Sequence, residues 1–307
     1  MGGDRLTVPE AYAAWRGQID GEAGREWVRA LPALVRRLAG RWGLSIDDAA
    51  PLHGAVSLVV LVHRGTRPLV LRVAWPDGTN AQEALALRAW RGRGVVELVD
   101  ADPESGALLL ERLDHTRTLH SLPVWEAAEI AGALIRTLAV EPPDGLVTLR
   151  EVADGIHDGL GRRQRALGDP VPPAWVERAV HCARELRSAG EQRMIHADLH
   201  YGNVLAGTRE TWLAVDPRPL RGAPEYAVPE LIWNRADQLR SASDVRRLLE
   251  VIVRAGRLDA EIAVGWVVTR CVDYWLWGVQ RGLTIDPARC ARVLSALLEQ
   301  APGTRGT

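Results

Sequence analysis

The sequence predicts an α+β fold in which a β-rich first part is followed by a larger helical part. Three observations support this class. Apolar runs of strand length are concentrated in residues 54–113, helical apolar spacing dominates the later chain, and a polar-rich exception covers residues 194–215. Strands first and helices later suggest two lobes joined near Glu111–Asp114. We therefore expect one lobe over residues 1–112 and a helical lobe over residues 113–307.

The first part predicts a helix, a hairpin, a second helix and two further strands. Apolar residues at roughly helical spacing over Glu22–Trp42 predict the first helix, in which Pro32 indicates a break. SLVVLVHRG and RPLVLRVAW are β-rich, enclose a glycine-containing turn and predict an antiparallel hairpin. NAQEALALRAW predicts a helix. VVELVDAD and GALLLERLD predict two strands around an Asp-Pro turn.

The later chain predicts helices because apolar residues recur every three or four positions. The helical segments are PVWEAAEIAGALIRTLAV, PPAWVERAVHCARELRSAG, EYAVPELIWNRADQLR, SDVRRLLEVIVRAG and DAEIAVGWVVTRCVDYWLWGVQRG. Arg270 and Asp273 interrupt the last of these, which favours a core helix over a membrane span.

Composition and charge argue against several classes of protein. The formal net charge is -1, which argues against a nucleic-acid-binding surface or a polybasic membrane patch. The N-terminus lacks the basic and apolar segments of a secretory signal. The three cysteines show no metal-ligand spacing and are typical of a reducing compartment. We therefore expect a cytoplasmic protein that binds neither nucleic acid nor a membrane.

The segment MIHADLHYGNVLAGTRETWLAVDPRP carries the chemistry. Asp198 and Asn203 have the spacing of an H-x-D-x-x-x-x-N loop, and Asp216 closes a strand soon afterwards. Phosphoryl transfer needs a carboxylate that orients the attacking hydroxyl, together with oxygen ligands for Mg²⁺. Asp198 suits the first role, whereas Asn203 and Asp216 suit the second. A lone H-x-D more often marks a hydrogen-bonded turn, but the complete pattern favours phosphoryl transfer.

The two histidines of this segment allow other interpretations. We expect His196 to hold the loop by hydrogen bonds, and His200 fits a surface residue as well as a substrate contact. A third hypothesis takes His196, Asp198 and His200 as the metal ligands of a hydrolase, because alternate residues of an extended segment share a face. No further His/Asp cluster of ligand spacing completes such a set in the sequence.

HADLHYGNVL and LAVDP resemble the catalytic and metal-binding loops of aminoglycoside phosphotransferases, which share the two-lobed protein-kinase-like fold. LPALVRRLAGRWGL, LALRAW, LLLERLD and DLHYGNVLA resemble the streptomycin 6-phosphotransferase branch of that family. The resemblance covers most of the chain, from roughly Val8 to Leu298. It implies an ATP-dependent O-phosphotransferase that uses Mg²⁺ and inactivates an aminoglycoside antibiotic, with streptomycin as the first candidate.

The resemblance also assigns roles to individual residues. It implies that Asp198 is the catalytic base, that Asn203 and Asp216 bind magnesium, and that the backbone of Glu111–Leu113 meets the adenine. The residues expected to contact the nucleotide are Ser57, Arg72, Glu83, Glu111 and Leu113.

Three positions depart from the family pattern. Arg72 stands where the family has a lysine on the third strand, and we expect Glu83 to be its ion-pair partner. The phosphate loop, LHGAVSLVV, offers one glycine and the hydroxyl of Ser57. Arg218 follows Asp-Pro where the streptomycin branch has an acidic residue, which is unexpected for a polycationic acceptor.

These departures leave alternatives open. Carboxylates and aromatic faces would hold a cationic acceptor, and the candidate acceptor contacts are Glu230, Asp273 and His200. Arg218 favours another antibiotic or small metabolite as the acceptor. Arg72 supports a degenerate kinase that binds nucleotide or ligand without turnover.

Overall fold

The computed structural model describes residues 6–54, 56–76 and 80–299, and the chain divides into two compact units. The first unit contains the residues up to Gly92 together with Val96–Leu113. The second contains Arg93–Val95 and the chain from Asp114 onward. The nucleotide-binding and substrate-binding roles expected of the two parts stay predictions.

In its described residues, the first unit combines three helices with a six-stranded antiparallel sheet. Its helices are α1 (Glu10–Ile19), α2 (Gly21–Trp42) and α3 (Asn80–Trp90). Its strands are β1 (Ser45–Ile46), β2 (Leu52–His53), β3 (Ser57–Arg64), β4 (Arg67–Ala74), β5 (Leu98–Asp102) and β6 (Ala107–Glu111). The strands are ordered β1-β3-β4-β6-β5, and β2 also pairs with β3.

The predicted hairpin is confirmed as β3 and β4, which pair from Ser57 opposite Ala74 to Arg64 opposite Arg67. Both strands are rich in Val and Leu, which pack well on a pleated and half-buried surface. Arg72 is buried within β4, opposite Val59 of β3. A charged residue in such a strand requires a partner.

The break predicted at Pro32 is wrong, because α2 continues through it. The helix buries Leu31, Val35 and Leu38 in the core that also contains Leu58 of the sheet. A buried apolar face of this kind stabilises the helix beyond its intrinsic propensity and offsets the hydrogen bond that proline cannot donate. The preceding helix α1 was not predicted.

The second unit is mainly helical, as predicted. Its helices are α4 (Val124–Leu138), α5 (Leu149–Ala166), α6 (Pro173–Leu186), α7 (Val228–Trp233), α8 (Ala242–Gly256), α9 (Ala260–Gln280) and α10 (Ile285–Leu298). Its strands are β7 (Asp114–Thr118), β8 (Arg193–His196), β9 (Val204–Ala206), β10 (Trp212–Ala214) and β11 (Pro219–Gly222). The sheet order is β10-β9-β7, and β8 pairs with β11.

The single helix predicted over EYAVPELIWNRADQLR is wrong, because this segment forms two short 3₁₀ turns around α7. Pro229 lies in the first turn of α7, where a proline is tolerated because its missing N–H has no helical partner. Beyond α7 the chain turns at Arg235, whose guanidinium donates to the carbonyl of Leu122 at 2.9 Å.

Helix α9 lies in the core of the second unit. A core helix was predicted here because two charged residues interrupt its apolar sequence. Trp266, Val267 and Val272 are fully buried, and α9 packs against α6, α10 and α7. Among the described residues, no helix is long and apolar enough to cross a membrane. Cys182, Cys271 and Cys290 are buried free thiols.

Candidate active site

The polar segment forms a loop after β8 followed by the hairpin of β9 and β10. His196, the last residue of β8, is almost fully buried, and its Nε2 donates to the carbonyl of Val215 at 3.0 Å. Burial lowers the pKa of His196, so the ring is neutral and serves as a hydrogen-bonding anchor. The bond ties the start of the loop to the residue that precedes Asp216.

Two further hydrogen bonds bring Asp198, Asn203 and Asp216 together. The side-chain Nδ2 of Asn203 donates to the backbone carbonyl of Asp198 at 2.9 Å. The backbone N–H of Val215 donates to the carbonyl of Asn203 at 2.8 Å. Asn203 thus precedes β9 and Asp216 follows β10 at the same end of one hairpin, where Val204 is paired with Ala214.

Asn203 and Asp216 supply oxygen donors of the kind that a hard cation binds. The amide nitrogen of Asn203 donates to the Asp198 carbonyl, so its side-chain oxygen is the atom of this residue that would bind a metal ion. Asp216 has a φ of 55°, in the left-handed region that aspartate adopts more readily than most residues. Mg²⁺ in kinases is held by one or two protein ligands, substrate phosphates and water, so this donor set fits it.

A hydrolase metal centre finds no support in the part of the chain that the structure describes. This part contains no group of three or more His, Cys, Asp or Glu side chains that could hold a metal ion. His200 instead uses its Nδ1 to accept a hydrogen bond from the backbone N–H of Gly202 at 3.1 Å. Burial lowers the pKa of His200 as well, so it is a neutral part of the loop.

Asp198 lies between a cation and a second carboxyl group. The Nε of Arg218 is 3.6 Å from the Oδ2 of Asp198. Glu230 of α7 interacts electrostatically with Asp198. Burial, and next the charge of Asp198, raise the pKa of Glu230 to about 7. The arginine that departs from the family pattern is thus a neighbour of the candidate catalytic base.

Glu230 and Asp273 both form ion pairs with partly buried arginines. Arg270 of α9 donates to Glu230 at 2.9 Å and to Asp273 at 3.1 Å. Arg163 of α5 also donates to Asp273. The predicted acceptor contacts therefore belong to an ion-pair network that links α7, α9 and α5, and whether they contact an acceptor stays a prediction.

Sequence reasoning did not find the role of Arg270. Its guanidinium lies over the rings of Tyr226 and Trp233, at 5.3 and 5.7 Å from their centroids, in addition to its two ion pairs. The detectable signal was a charged residue inside the apolar sequence of α9. The residues that complete the cluster come from distant parts of the chain, and only folding brings them together.

In the first unit, the expected ion pair between Arg72 and Glu83 is present. The Nη1 of Arg72 lies 2.6 Å from the Oε2 of Glu83, and the two side chains are 9% and 7% exposed. The other nucleotide candidates lie at strand ends: Ser57 is buried at the start of β3, and Glu111 ends β6. Leu113 is buried as well. Ala55 of the predicted phosphate loop lies outside the described residues.

Comparisons with known proteins show the family of this chain. A model of the family described as aminoglycoside/hydroxyurea antibiotic resistance kinase matches residues 41–282. The chain is 39% identical over 292 residues to a streptomycin 6-kinase of Streptomyces glaucescens. The aligned region covers 92% of this chain and 94% of the relative. It is also 39% identical over 302 residues to a hydroxyurea phosphotransferase of Kitasatospora aureofaciens, with 96% and 87% covered.

The crystal structure of aminoglycoside phosphotransferase APH(4)-Ia is similar to this chain with a TM-score of 0.62. The similarity covers 87% of this chain and 98% of that chain at 19% identity, a level at which it shows the fold alone. It confirms the protein-kinase-like fold that the sequence motifs implied.

Proposed function

This chain belongs to the family of aminoglycoside/hydroxyurea antibiotic resistance kinases, and we propose that it transfers the γ-phosphoryl group of ATP to a hydroxyl of streptomycin. The family makes the chain a phosphotransferase. The streptomycin 6-kinase of Streptomyces glaucescens, 39% identical over almost the whole chain, supports the choice of acceptor. The observation that carries the proposal is the convergence of Asp198, Asn203 and Asp216 at one hairpin.

Asp198 is the proposed catalytic base. Its carboxylate accepts a hydrogen bond from the acceptor hydroxyl and orients the attacking oxygen. It takes the proton as the new oxygen–phosphorus bond forms, while the bond between the γ-phosphorus and the bridging oxygen breaks and ADP leaves. Its side chain is 27% exposed, so an acceptor can reach it. The neutral His196 supports this step by fixing the loop through Val215.

Asn203 and Asp216 are the proposed ligands of the magnesium that accompanies ATP. Their oxygens would hold the ion, which would supply positive charge against the phosphate oxygens. The hydrogen bond from Asn203 to the Asp198 carbonyl couples the position of this ligand to the backbone of the proposed base. The same loop thereby presents both the base and a metal-binding oxygen.

The proposed nucleotide contacts are Ser57, Arg72, Glu83, Glu111 and Leu113. Arg72 replaces the lysine of related kinases, and its planar guanidinium can pair with a phosphate through more than one N–H. Its ion pair with Glu83 ties it from β4 to helix α3, as expected for a phosphate-binding cation. The backbone of Glu111–Leu113 is the proposed contact of the adenine.

A small neutral acceptor, of the hydroxyurea class, is the second candidate. Arg218 places positive charge 3.6 Å from Asp198, and Arg270 already pairs with Glu230 and Asp273. A polycationic acceptor would have to compete with these arginines. The hydroxyurea phosphotransferase of Kitasatospora aureofaciens supports this candidate with its 39% identity. The contacts proposed at His200, Glu230 and Asp273 apply to either acceptor.

The test is to incubate the purified protein with ATP and Mg²⁺ and with streptomycin, hydroxyurea or another aminoglycoside, and to follow each acceptor by mass spectrometry. We expect a mass gain of one phosphoryl group on streptomycin, and none without Mg²⁺. Transfer to hydroxyurea alone would favour the second candidate. Nucleotide binding without transfer to any acceptor would indicate a degenerate kinase. The proposed compartment is the cytoplasm, where ATP is available.

A further inference from the structure

We propose that Arg218 is a catalytic residue whose guanidinium contacts the γ-phosphoryl group during transfer. The inference rests on the proposed function, in which Asp198 orients the acceptor hydroxyl and Asp216 binds the magnesium. Arg218 follows Asp216 by two positions and pairs with Asp198. The arginine that was unexpected for a polycationic acceptor is thereby given a role toward the phosphate.

The backbone of Arg218 is fixed against the loop after β8. Its carbonyl accepts a hydrogen bond from the N–H of Ala197 at 3.1 Å. The next residue, Pro219, begins β11 and is paired with His196 at the end of β8. A proline on each side of Arg218 restricts the backbone further, because proline fixes its own φ and limits the residue before it. The Cα of Arg218 is therefore held at a fixed place relative to Asp198.

The side chain of Arg218 keeps its hydrogen-bonding groups available. Its Nε lies 3.6 Å from the Oδ2 of Asp198, which is close enough for an ion pair but too long for a hydrogen bond. In the part of the chain that the structure describes, the guanidinium makes no other ion pair and no side-chain hydrogen bond. The side chain is 65% exposed. Its N–H donors are thus open to a ligand that binds beside Asp198.

Arg270 of the same unit shows the contrasting arrangement. Its side chain is 17% exposed and pairs with Glu230 at 2.9 Å and with Asp273 at 3.1 Å. Moving it to a phosphate would leave two partly buried carboxylates without their cation, which is costly. Exposed ion pairs contribute little to stability, so Arg218 can leave Asp198 for a phosphate at a small cost.

The reacting atoms lie beside Asp198 in the proposed reaction. The carboxylate binds the acceptor hydroxyl, and the oxygen of that hydroxyl attacks the γ-phosphorus, so the phosphoryl group is the next reacting centre beyond the acceptor oxygen. A long side chain that already reaches Asp198 can bring its terminal N–H groups to the phosphoryl oxygens by rotation about its own bonds. The backbone of Arg218 need not move.

The proposed step leaves Arg218 protonated throughout. The acceptor oxygen forms a bond to the γ-phosphorus and gives its proton to Asp198, while the bond from the γ-phosphorus to the bridging oxygen breaks and ADP leaves. The N–H groups of Arg218 donate to the oxygens of the transferring group, whose geometry matches the planar guanidinium. A guanidinium that is bound to the phosphoryl group no longer opposes a cationic acceptor at Asp198.

Two substitutions test the catalytic role, with streptomycin or hydroxyurea as the acceptor, whichever the wild type phosphorylates. We expect Arg218→Ala to lower kcat by about 10²- to 10³-fold, which is the usual cost of losing one donor to a developing charge. The acceptor KM should change little, because the contact is to the phosphate. Arg218→Lys keeps the charge without the planar fork, so its kcat should lie between those of the wild type and Arg218→Ala.

A binding measurement tests the contact without turnover. Calorimetry in the presence of Mg²⁺ compares ADP with a non-hydrolysable ATP analogue, which differ by the γ-phosphoryl group. Arg218→Ala should weaken binding of the analogue by about tenfold, the usual effect of one hydrogen bond to a charged group. The affinity for ADP should stay at the wild-type value.

Arg221→Ala is the matched control. Arg221 is an exposed arginine of β11, and its backbone N–H donates to the carbonyl of Val147. We expect this variant to keep the wild-type kinetics and nucleotide affinities. Thermal unfolding of every variant separates a lost fold from a lost step.

The outcomes that would overturn the inference differ from one another. Wild-type kcat in Arg218→Ala, with Asp198→Asn inactive, would remove the role of Arg218 and leave the proposed function standing. A changed acceptor KM with preserved kcat would make Arg218 an acceptor contact. An equal loss of affinity for ADP and for the ATP analogue would show that the contact is not to the γ-phosphoryl group. A wild type without transfer to any acceptor would remove both the inference and the proposed function.

Discussion

The proposed contact with the nucleotide phosphates depends on one residue, Arg72. The chain contains no lysine, so the 38 residues counted as lysine or arginine are all arginine. Arg72 is buried and lies 2.6 Å from Glu83, so the charge at this position is paired within the first unit. An arginine pairs through a planar fork, whereas a lysine is a compact point charge, so the exchange changes how a phosphate can be held.

Arg72→Ala is expected to lose most phosphotransferase activity, because it removes the proposed phosphate contact. It also leaves Glu83 buried without its arginine, and breaking a buried ion pair costs about 3–5 kcal/mol. Arg72→Lys keeps a cation opposite Glu83 and is expected to retain or raise activity. The measurements are the ATP KM, kcat and the unfolding midpoint of each variant.

Arg67→Ala is the control for this prediction. Arg67 lies on the same strand and pairs with Glu97 at 2.7 Å, but both side chains are about half exposed. Exposed pairs of this kind contribute roughly 0–1 kcal/mol, so activity and stability should change little. Wild-type activity in Arg72→Ala would contradict the placement of this residue at the nucleotide phosphates.

At the scale of elements, the β9–β10 hairpin carries the metal proposal. Val204 pairs with Ala214, and the bond from Val215 to the Asn203 carbonyl extends that pairing to the proposed ligands. Asp216 follows with its left-handed backbone, at the point where the chain leaves the hairpin. The two short strands and the left-handed backbone of Asp216 thus bring two residues with oxygen donors to the same end of the hairpin.

Asp216→Asn and Asn203→Ala are expected to weaken magnesium-dependent nucleotide binding, because the cation loses a charged ligand or an oxygen. Asparagine tolerates the left-handed backbone, so Asp216→Asn tests the charge and not the turn. Calorimetry with ATP, in the presence and absence of Mg²⁺, measures the effect.

Asp169→Asn makes the same exchange at another left-handed aspartate, with a φ of 56°, in an exposed turn after α5. We expect this variant to bind ATP and Mg²⁺ as the wild type does. Unchanged binding and activity in Asp216→Asn and Asn203→Ala would refute the metal site.

At the scale of the whole molecule, most of the fold was predictable because long periodic segments dominate it. The β3–β4 hairpin and α9 follow directly from their apolar patterns. Helix α5 was missed because its apolar face is built partly from small residues among glycines and charges. Strand β7 was missed because its residues are mostly exposed, so the sequence shows no apolar alternation there.

The candidate site was also predictable only in part from the sequence. Asp198, Asn203 and Asp216 lie close together in sequence, so their spacing alone predicted a common role. The link between Glu230 and Arg270 joins residues 40 positions apart. It depends on how α7 and α9 pack, and single-sequence periodicity does not specify that contact.

We propose that this kinase phosphorylates an antibiotic with Asp198 as the catalytic base. The most direct test compares the wild type with Asp198→Asn. The measurement follows the γ-labelled phosphate of ATP into streptomycin, with ATP affinity and thermal unfolding determined in parallel. We expect labelled streptomycin from wild type and a rate lower by about 10² to 10⁴ for the variant, with the fold and nucleotide binding nearly intact. The loss of a general base costs at least about a hundredfold in rate. A variant that keeps more than about a tenth of the wild-type rate would therefore contradict the assignment of Asp198 as the base.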